Sequence, residues 1–346
     1  MRRLWLALSL SLFAALAWAE GGPATDAVKQ QQERQVTQPG NNAPFYREVR
    51  SGEVQPYTTT SAKGPETGIL VQSAGETWRQ IRNGPVTFYG GAFIVFVLLV
   101  MAGLYFVKGP IKLHEPRTGR LLQRFTDWER VVHWSVAISF CILALSGLTM
   151  LFGKHVLLPV IGYTLFAWLS YLGKNLHNFV APFFIVSVLI MAFMWARDNV
   201  WKSYDWSWFG KMWAFATRGE HLPSGRFNAG EKAWFWGGVI LLSIVMAWSG
   251  LILLFPNFEQ TRSTMQWAWI WHASAAVLYI VGGLGHIYMG TIGVEGAYQN
   301  MREGVTDETW AKEHHRYWYD EVKSGRREGA AGGAIPAGAP HMKEKP

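Results

Sequence analysis

Cysteine is almost missing from this sequence: Cys141 is the only one among 346 residues. A single cysteine excludes an internal disulfide framework, and it excludes an iron–sulfur cluster ligated by the cysteines of this chain alone. Cys141 also lies in the middle of an apolar run, which favours a packing role. Any redox centre held by the chain therefore needs other ligands.

Charge is also scarce, since only 16% of the residues are charged while 50% are apolar and 19 are tryptophan. This composition is too apolar for an ordinary soluble domain, and the surplus of tryptophan is typical of the aromatic belts at membrane surfaces. The net charge of +8 could indicate nucleic-acid binding. However, the basic residues form short clusters that flank apolar stretches and do not follow one helical face, which favours a membrane protein that binds lipid and no nucleic acid.

The first residues resemble an export signal. Two arginines precede an apolar run that ends at the small-residue motif Ala17-Trp18-Ala19, which predicts a cleaved signal peptide over residues 1–19. The alternative is an uncleaved anchor helix, for which the run is short against a bilayer core of about 30 Å. Residues 20–85 are rich in Gln, Gly, Pro, Thr and Ser and predict an irregular exported segment. That segment leaves room for one short helix around residues 73–81.

Five apolar stretches are long enough to cross a bilayer. They cover residues 86–107, 131–152, 178–196, 233–255 and 267–294. Basic residues are concentrated in the connections 108–130 and 197–232 and in the tail 295–346. The positive-inside tendency predicts that these parts are cytoplasmic. An exported N-terminal segment followed by five crossings also places the tail inside, so both signals predict the same multi-pass orientation in a bacterial inner membrane.

Residues 155–173 form a sixth apolar stretch of similar length. Pro159, Gly162 and Gly173 weaken it as a helix, and a sixth crossing would invert every later connection against the charge pattern. The sequence therefore predicts an outer interfacial or re-entrant segment here.

Four of the ten histidines lie within or at the ends of the predicted spans: His133, His177, His272 and His286. Ionisable side chains at this depth are costly and usually functional, although any one of them could be a hydrogen-bonded packing residue. His133 and His286 lie near the inner ends of their spans, and His177 and His272 lie near the outer ends. His272 and His286 are fourteen positions apart in the sequence, which places these two about 21 Å apart on one helix face. Two imidazoles on one iron leave no open position for dioxygen, which favours electron transfer through two haems, one per leaflet.

Small residues accompany these histidines. Residues 144–152 and 247–255 form a weak internal repeat, and Gly282, Gly283 and Gly285 precede His286. Small residues allow close approach of another helix or of a flat macrocycle. The sequence leaves both interpretations open.

Several segments, in order over residues 120–322, resemble the cytochrome b (gamma) subunit of respiratory membrane-bound formate dehydrogenases. These segments are Arg130-Val-Val-His133-Trp134, Leu176-His177-Asn-Phe-Val-Ala-Pro-Phe183, Phe227-Asn228-Ala229-Gly230-Glu231-Lys232, Trp271-His272-Ala-Ser-Ala-Ala276, His286-Ile-Tyr-Met289 and the tail from Trp310 to Tyr319. The cytochromes of nickel–iron hydrogenases share the broad plan but match these segments less well.

The resemblance implies an all-α four-helix bundle over residues 131–294 that encloses two haems b. The apolar stretch at 86–107 predicts one additional N-terminal transmembrane helix before it. It implies that His133 with His286 ligate the inner haem iron and that His177 with His272 ligate the outer one. Residues 1–107 extend beyond the compact four-span form of the family.

The resemblance also implies a quinone site beside the inner haem, formed by Asn228, Gly230 and Glu231. The family usually has Gln where this chain has Glu231. Without the family, Asn228-Ala-Gly-Glu231 predicts a helix N-cap with a capping glutamate. The two interpretations are compatible, because free N–H groups at a helix start can hold an oxygen of a ligand.

The implied function is that of an electron-transfer subunit. Electrons would come from an iron–sulfur (beta) subunit, supplied by a molybdenum or tungsten catalytic (alpha) subunit, and would leave to a quinone. The chain would have no formate-oxidising site of its own, and such complexes could associate into a higher oligomer. One alternative is the cytochrome of a hydrogenase or of another quinone-reducing oxidoreductase. An alternative of another class is a haem-free anchor or transporter, which the uninterrupted spans disfavour.

Overall fold

The computed structural model describes residues 74–326 apart from residue 221, without the side chains of 213–217. The expected signal peptide at 1–19, the exported segment as far as residue 73 and the end of the tail at 327–346 lie outside the described residues.

Five long helices dominate the described part of the chain, and each is long and apolar enough to cross a membrane. They are α1 (Gly75–Lys108), α2 (Asp127–Val156), α3 (Leu158–Trp195), α5 (Ala229–Leu254) and α6 (Arg262–Gly293). The prediction of an all-α multi-pass membrane protein with five spans is thus confirmed. The shorter elements are α4 (Ser203–Arg218), α7 (Ala297–Glu303), α8 (Glu308–His314), α9 (Arg316–Lys323) and the antiparallel strands β1 (Leu121–Gln123) and β2 (Val305–Asp307).

Helix α1 begins eleven residues before the predicted span, at Gly75 and not at residue 86. The short helix expected around residues 73–81 is present over Gly75–Ile81, and the expectation of irregular structure is wrong for residues 82–85, where the helix continues into the span. Pro85 cannot donate a backbone hydrogen bond and crowds the preceding turn. The chain accommodates it by adopting the wider π-helical geometry over Arg82–Tyr89, where the Thr87 hydroxyl donates to the carbonyl oxygen of Arg82 at 2.6 Å.

The ambiguous stretch 155–173 is helical and is not re-entrant. Helix α3 starts at Leu158 with Pro159 in its first turn, a position that tolerates proline. The helix breaks at Gly162, whose φ of 75° a glycine adopts without strain, and then continues to Trp195. Gly173 is buried against Ser146 of α2. The segment therefore extends the third span, and it adds no sixth crossing.

The tail after α6 folds back on the connection between α1 and α2. Strand β2 pairs with β1, with Leu122 opposite Thr306, and Trp318 is completely buried. These contacts close the end of the bundle that the charge pattern predicts to be cytoplasmic.

An ionic cluster holds the helices of the tail in place. The Glu308 carboxylate accepts hydrogen bonds from the Lys323 ammonium, the Tyr319 hydroxyl and the Arg120 guanidinium. These hydrogen bonds, and first of all the one from Lys323, lower the pKa of the Glu308 carboxyl to about 2. The tail is therefore a folded part of the protein as far as Lys323.

The hairpins α2–α3 and α5–α6 predict the sides on which their connections lie. In a Cys141→Ser background, single cysteines replacing Lys154, Asn257 and Lys312 can be tested with an impermeant thiol reagent in intact and opened cells. We expect Lys154→Cys and Asn257→Cys to react from one side of the membrane and Lys312→Cys from the other. Opposite sides for Lys154→Cys and Asn257→Cys would contradict the five-span arrangement.

Candidate functional site

The four intramembrane histidines form two facing pairs. His133 on α2 faces His286 on α6, and His177 on α3 faces His272 on α6; the ring centres are 6.1 Å apart in both pairs. Metal–imidazole bonds are about 2 Å long, and about 1 Å more separates each nitrogen from its ring centre. Two imidazoles on one metal therefore have ring centres about 6 Å apart, and both pairs have this spacing.

The structure brings together the histidines that lie at the same predicted depth. His177 lies well inside α3 and not at the start of a span, because α3 begins at Leu158. His272 and His286 are separated by about 21 Å along α6. Within the described residues, no cluster of three or more histidine, cysteine or acidic side chains could hold a bare metal ion. The pairs therefore fit a metal that brings its own equatorial ligands, as a haem iron does.

Two serine hydroxyls orient the outer pair. The Ser146 Oγ lies 2.9 Å from Nδ1 of His177, and the Ser249 Oγ lies 3.0 Å from Nδ1 of His272. Each hydroxyl donates its one hydrogen to the carbonyl four residues earlier in its own helix, at 2.7 and 2.6 Å. The hydroxyl can then only accept from the histidine, so Nδ1 carries the proton. This tautomer leaves the lone pair of Nε2 free to bind a metal.

A glycine follows each of these serines and lets the imidazole approach the helix. A Cβ atom on Gly147 would meet Cε1 of His177 at 3.5 Å, and a Cβ atom on Gly250 would meet Cε1 of His272 at 3.2 Å. These Ser-Gly dipeptides are the centre of the internal repeat. The repeat is visible in the sequence, but the contacts of its serines with the histidines are not.

A cavity of about 390 Å³ lies beside the outer pair. Its walls are mostly apolar and come from α2, α3, α5 and α6, while Arg82, Lys174 and Asn178 contribute polar groups. Cofactor pockets typically enclose about 300–1,000 Å³ and combine apolar walls with a few polar groups. The outer pair therefore has the surroundings that a flat apolar cofactor needs.

The inner pair has aromatic neighbours. The Trp234 ring stacks on His286 with 5.7 Å between ring centres. Nδ1 of His133 is buried and has no hydrogen-bond partner among residues 74–326 as described. Buried ring nitrogens are normally paired, and a ring flip would exchange the two nitrogens. Either orientation leaves His133 with a nitrogen for a ligand that the chain does not supply.

The three glycines before His286 have different surroundings. A Cβ atom on Gly282 would meet the Trp234 ring at 2.4 Å, and one on Gly283 would meet the Phe140 ring at 2.9 Å. Gly285 has nothing within 4 Å. Two of these glycines therefore serve side-chain packing, and only Gly285 leaves open space.

Asn228 and Glu231 form the capping box that the sequence predicts. The backbone N–H of Glu231 donates to Oδ1 of Asn228 at 2.9 Å, and the backbone N–H of Asn228 donates to Oε2 of Glu231 at 2.7 Å. The Arg124 guanidinium donates to the same carboxylate at 3.2 Å. The N–H groups of Ala229 and Gly230 lie in the first turn, where no intrahelical acceptor exists.

Gly230 allows the Trp208 ring and the Asn228 side chain to approach this helix start closely. A Cβ atom there would lie 3.1 Å from the Trp208 ring and 3.2 Å from Oδ1 of Asn228. Trp234, which stacks on His286, follows Glu231 by less than one turn. The start of α5 therefore lies on the same side of the bundle as the inner pair.

Buried ionic contacts hold this helix start in place. The Arg226 guanidinium donates to Glu129 of α2 at 2.7 Å and to Asp198, which follows α3, at 2.6 Å. The Lys232 ammonium donates to Asp205 of α4 at 2.7 Å. Both cations are almost completely buried, and removing one partner of such a pair leaves an uncompensated charge. The first turn of α5 and the segment before it are thus tied to α2, to the connection after α3 and to α4.

Comparison with known proteins gives consistent matches. The family described as prokaryotic cytochrome b561 matches residues 124–304. The formate dehydrogenase cytochrome b556(fdo) subunit of Escherichia coli K12 is 34% identical over 203 residues, which cover 58% of this chain and 92% of that protein. The nitrate-inducible formate dehydrogenase cytochrome b556(Fdn) subunit of the same strain is 29% identical over 214 residues, covering 59% and 93%. The formate dehydrogenase cytochrome b556 subunit of Haemophilus influenzae is 25% identical over 202 residues, covering 56% and 79%.

The serine contacts predict how firmly the outer histidines hold haem. Ser146→Ala or Ser249→Ala removes the acceptor for Nδ1–H, and losing such a contact to a metal-bound histidine typically costs about 10–100-fold in affinity. We expect faster loss of haem from these variants on dilution in detergent, measured by the visible spectrum. Ser139→Ala is the control, because the Ser139 hydroxyl bonds only its own helix. Haem loss equal to that of the control would contradict the assignment.

Proposed function

Because the chain belongs to the prokaryotic cytochrome b561 family, whose members are haem-containing membrane electron-transfer subunits, we propose that it is the cytochrome b subunit of a formate dehydrogenase complex that reduces a quinone. The relatives named above are subunits of formate dehydrogenases. The observation that carries the proposal is the presence of two facing histidine pairs at two depths in one bundle. Family membership does not support the haem-free anchor or transporter considered from the sequence.

The proposed cofactors are two haems b. His133 and His286 hold the inner haem, and His177 and His272 hold the outer one. An iron held by two imidazoles would have no free position for dioxygen, so the haem would supply one-electron transfer and not dioxygen chemistry. Support comes from the equal spacing of the pairs and from the tautomer that the serine hydroxyls impose on the outer pair.

Aromatic side chains fill the space between the two pairs. Tyr279 lies on α6, seven residues from each of its two histidines, and its ring centre is 4.9 Å from that of Phe140 and 5.6 Å from that of Trp234. Its hydroxyl shares a hydrogen bond with the Ser243 hydroxyl at 2.9 Å. This buried layer excludes water between the pairs and fixes their separation.

The proposed quinone site is the start of α5. The N–H groups of Ala229 and Gly230 and the side-chain amide of Asn228 are donors that a quinone carbonyl can accept. The Glu231 carboxylate is already bound to Arg124 and to the N-cap backbone. We therefore assign Glu231 the role of holding these donors in place beside the quinone. The protons for quinone reduction come from the cytoplasm in this scheme.

The proposed orientation follows the charge pattern. The signal peptide delivers residues 20–73 to the outside of a bacterial inner membrane, and the folded tail lies in the cytoplasm. The label on Asn257→Cys should accordingly be accessible from outside.

An iron–sulfur subunit, supplied by a molybdenum or tungsten catalytic subunit, donates electrons at the outer pair. If formate is oxidised outside, each electron moved inward against 100 mV stores about 2.3 kcal/mol, and no formate chemistry takes place on this chain.

Haem content tests the assignment of the histidines. A pyridine haemochrome assay on the purified complex should find two haems b per chain. His177→Ala and His272→Ala should each lose the outer haem, which halves the content, because one imidazole cannot hold it. His155→Ala is the control, since this exposed histidine lies at the end of α2, away from both pairs. One haem in the wild type, or two in His177→Ala, would refute the assignment.

Two substitutions of Asn228 separate its capping role from quinone binding. Asn228→Leu removes both the cap and the amide donor, whereas Asn228→Ser keeps a cap oxygen and removes the amide. We expect both variants to keep haems that the electron donor reduces, while quinone-dependent turnover falls about threefold to tenfold, the effect of one lost hydrogen bond. Normal turnover in Asn228→Ser with reduced turnover in Asn228→Leu would show that Asn228 acts only as a cap.

A further inference from the structure

Helix α1 lies outside the region shared with the family, which begins at residue 124, yet it packs against the core. A Cβ atom on Gly90 would lie 3.0 Å from Val277 of α6, and the ring centres of Trp78 and Trp269 are 5.9 Å apart. These two contacts show that α1 and α6 run in the same direction. Residues near Trp78 therefore lie at the level of the outer histidine pair.

Arg82 is held in a defined position on this helix. Its guanidinium lies over the Trp269 ring at 5.1 Å and over the Trp78 ring at 5.6 Å, two contacts that attract a cation. Arg82 is also the first residue of the π-helical stretch, so the local change of helical geometry affects where its side chain points. Within residues 74–326, no carboxylate forms an ion pair with Arg82.

Arg82 also lines the cavity beside the outer pair. The cavity walls contain His177 and His272, and they contain a second cation, Lys174 of α3. Arg82 is half-buried and Lys174 is exposed, so both cations lie at the edge of the cavity, where apolar surroundings favour pairing with an anion. Haem b carries two propionate carboxylates at one edge, and the planar fork of an arginine matches a carboxylate.

We propose that Arg82, together with Lys174, binds the propionate carboxylates of the outer haem, so that the additional helix completes the outer haem site. This inference rests on the proposed ligation of a haem by His177 and His272. It gives α1 a role in the redox properties of the protein, beyond that of an anchor.

The proposal predicts a change in the redox equilibrium of one haem. A cation near the haem disfavours the ferric form, which carries the additional positive charge, and the effect is large where water is excluded. Removing the cation should therefore stabilise the ferric form of the outer haem and lower its midpoint potential. The inner haem lies about 21 Å away along α6 and should change little.

The experiment is a redox titration of the purified complex, followed in the visible spectrum. The His177→Ala variant identifies which component belongs to the outer haem. We expect Arg82→Gln to keep two haems per chain. At the wild-type midpoint potential of the outer haem, the ratio of its ferric to its ferrous form should rise up to about tenfold in this variant. That rise is equivalent to a midpoint potential lower by about 59 mV for one electron. Arg82→Lys, which keeps the charge, should change the ratio less.

Arg79→Gln is the matched control. Arg79 lies one turn away on the same helix, and its side chain is 61% exposed and paired with Glu76. An unchanged outer component in Arg82→Gln, an equal shift of both components, or the same shift in Arg79→Gln would overturn the proposal.

Haem retention and lipid composition distinguish propionate binding from a packing role of Arg82 and from lipid binding. If Arg82→Gln loses the outer haem, retention in Arg82→Lys supports carboxylate binding, whereas loss in both variants shows a packing role and overturns the proposal.

Reconstitution in phosphatidylcholine vesicles with and without phosphatidylglycerol tests a lipid phosphate as the anion. A shift seen only with phosphatidylglycerol would overturn the proposal. Failure of the ligation itself would show as a wild type without two haems, a distinct result.

Discussion

The structure depends on one constraint: an imidazole buried among apolar helices needs a partner for each of its two nitrogens. At the outer pair the chain supplies one partner per ring, the hydroxyls of Ser146 and Ser249, and leaves the other nitrogen for the metal that we propose. Those hydroxyls can accept because their own hydrogens are held by their helix backbones. Gly147 and Gly250 lie next to them, where each imidazole lies against the helix surface, and a side chain at Gly250 would crowd the His272 ring at 3.2 Å.

The inner end of the bundle meets a different constraint, because it borders water and contains buried charges. Arg226 and Lys232 are almost fully buried, and each is paired with carboxylates from other elements. His315 lies nearby in the folded tail. Its burial, and to a smaller extent the charge of Arg124, lowers the pKa of His315 well below the usual range. Its neutral ring donates from Nδ1 to the carbonyl oxygen of Gly225 at 2.7 Å. These contacts fix the loop before α5, which gives the Asn228 cap a rigid base.

Much of this arrangement could be predicted from sequence, because the length of apolar runs and the rise of a helix are local properties. The five spans and the grouping of histidines by depth follow from them. The helical structure of residues 82–85 and 158–173 could not be predicted, because Pro85 and Gly162 are local penalties that a π-helical turn and a kink accommodate. The contacts of Ser146 and Arg82 could not be predicted for a different reason: they depend on the rotation of packed helices, which one sequence does not reveal.

The Ser-Gly repeat gives the hairpins α2–α3 and α5–α6 the same arrangement around the outer histidine pair. The inner pair does not follow this arrangement. In each hairpin, the first helix supplies a serine and a glycine, and the second helix supplies the histidine that they contact. The two histidines of the outer pair therefore have chemically equivalent neighbours. The inner site takes His133 from the first helix of one hairpin and His286 from the second helix of the other, and only His286 stacks on Trp234. Two identical copies of one hairpin would already contain the outer pair with its serines, whereas the inner pair needs two hairpins that carry their second histidine on different helices.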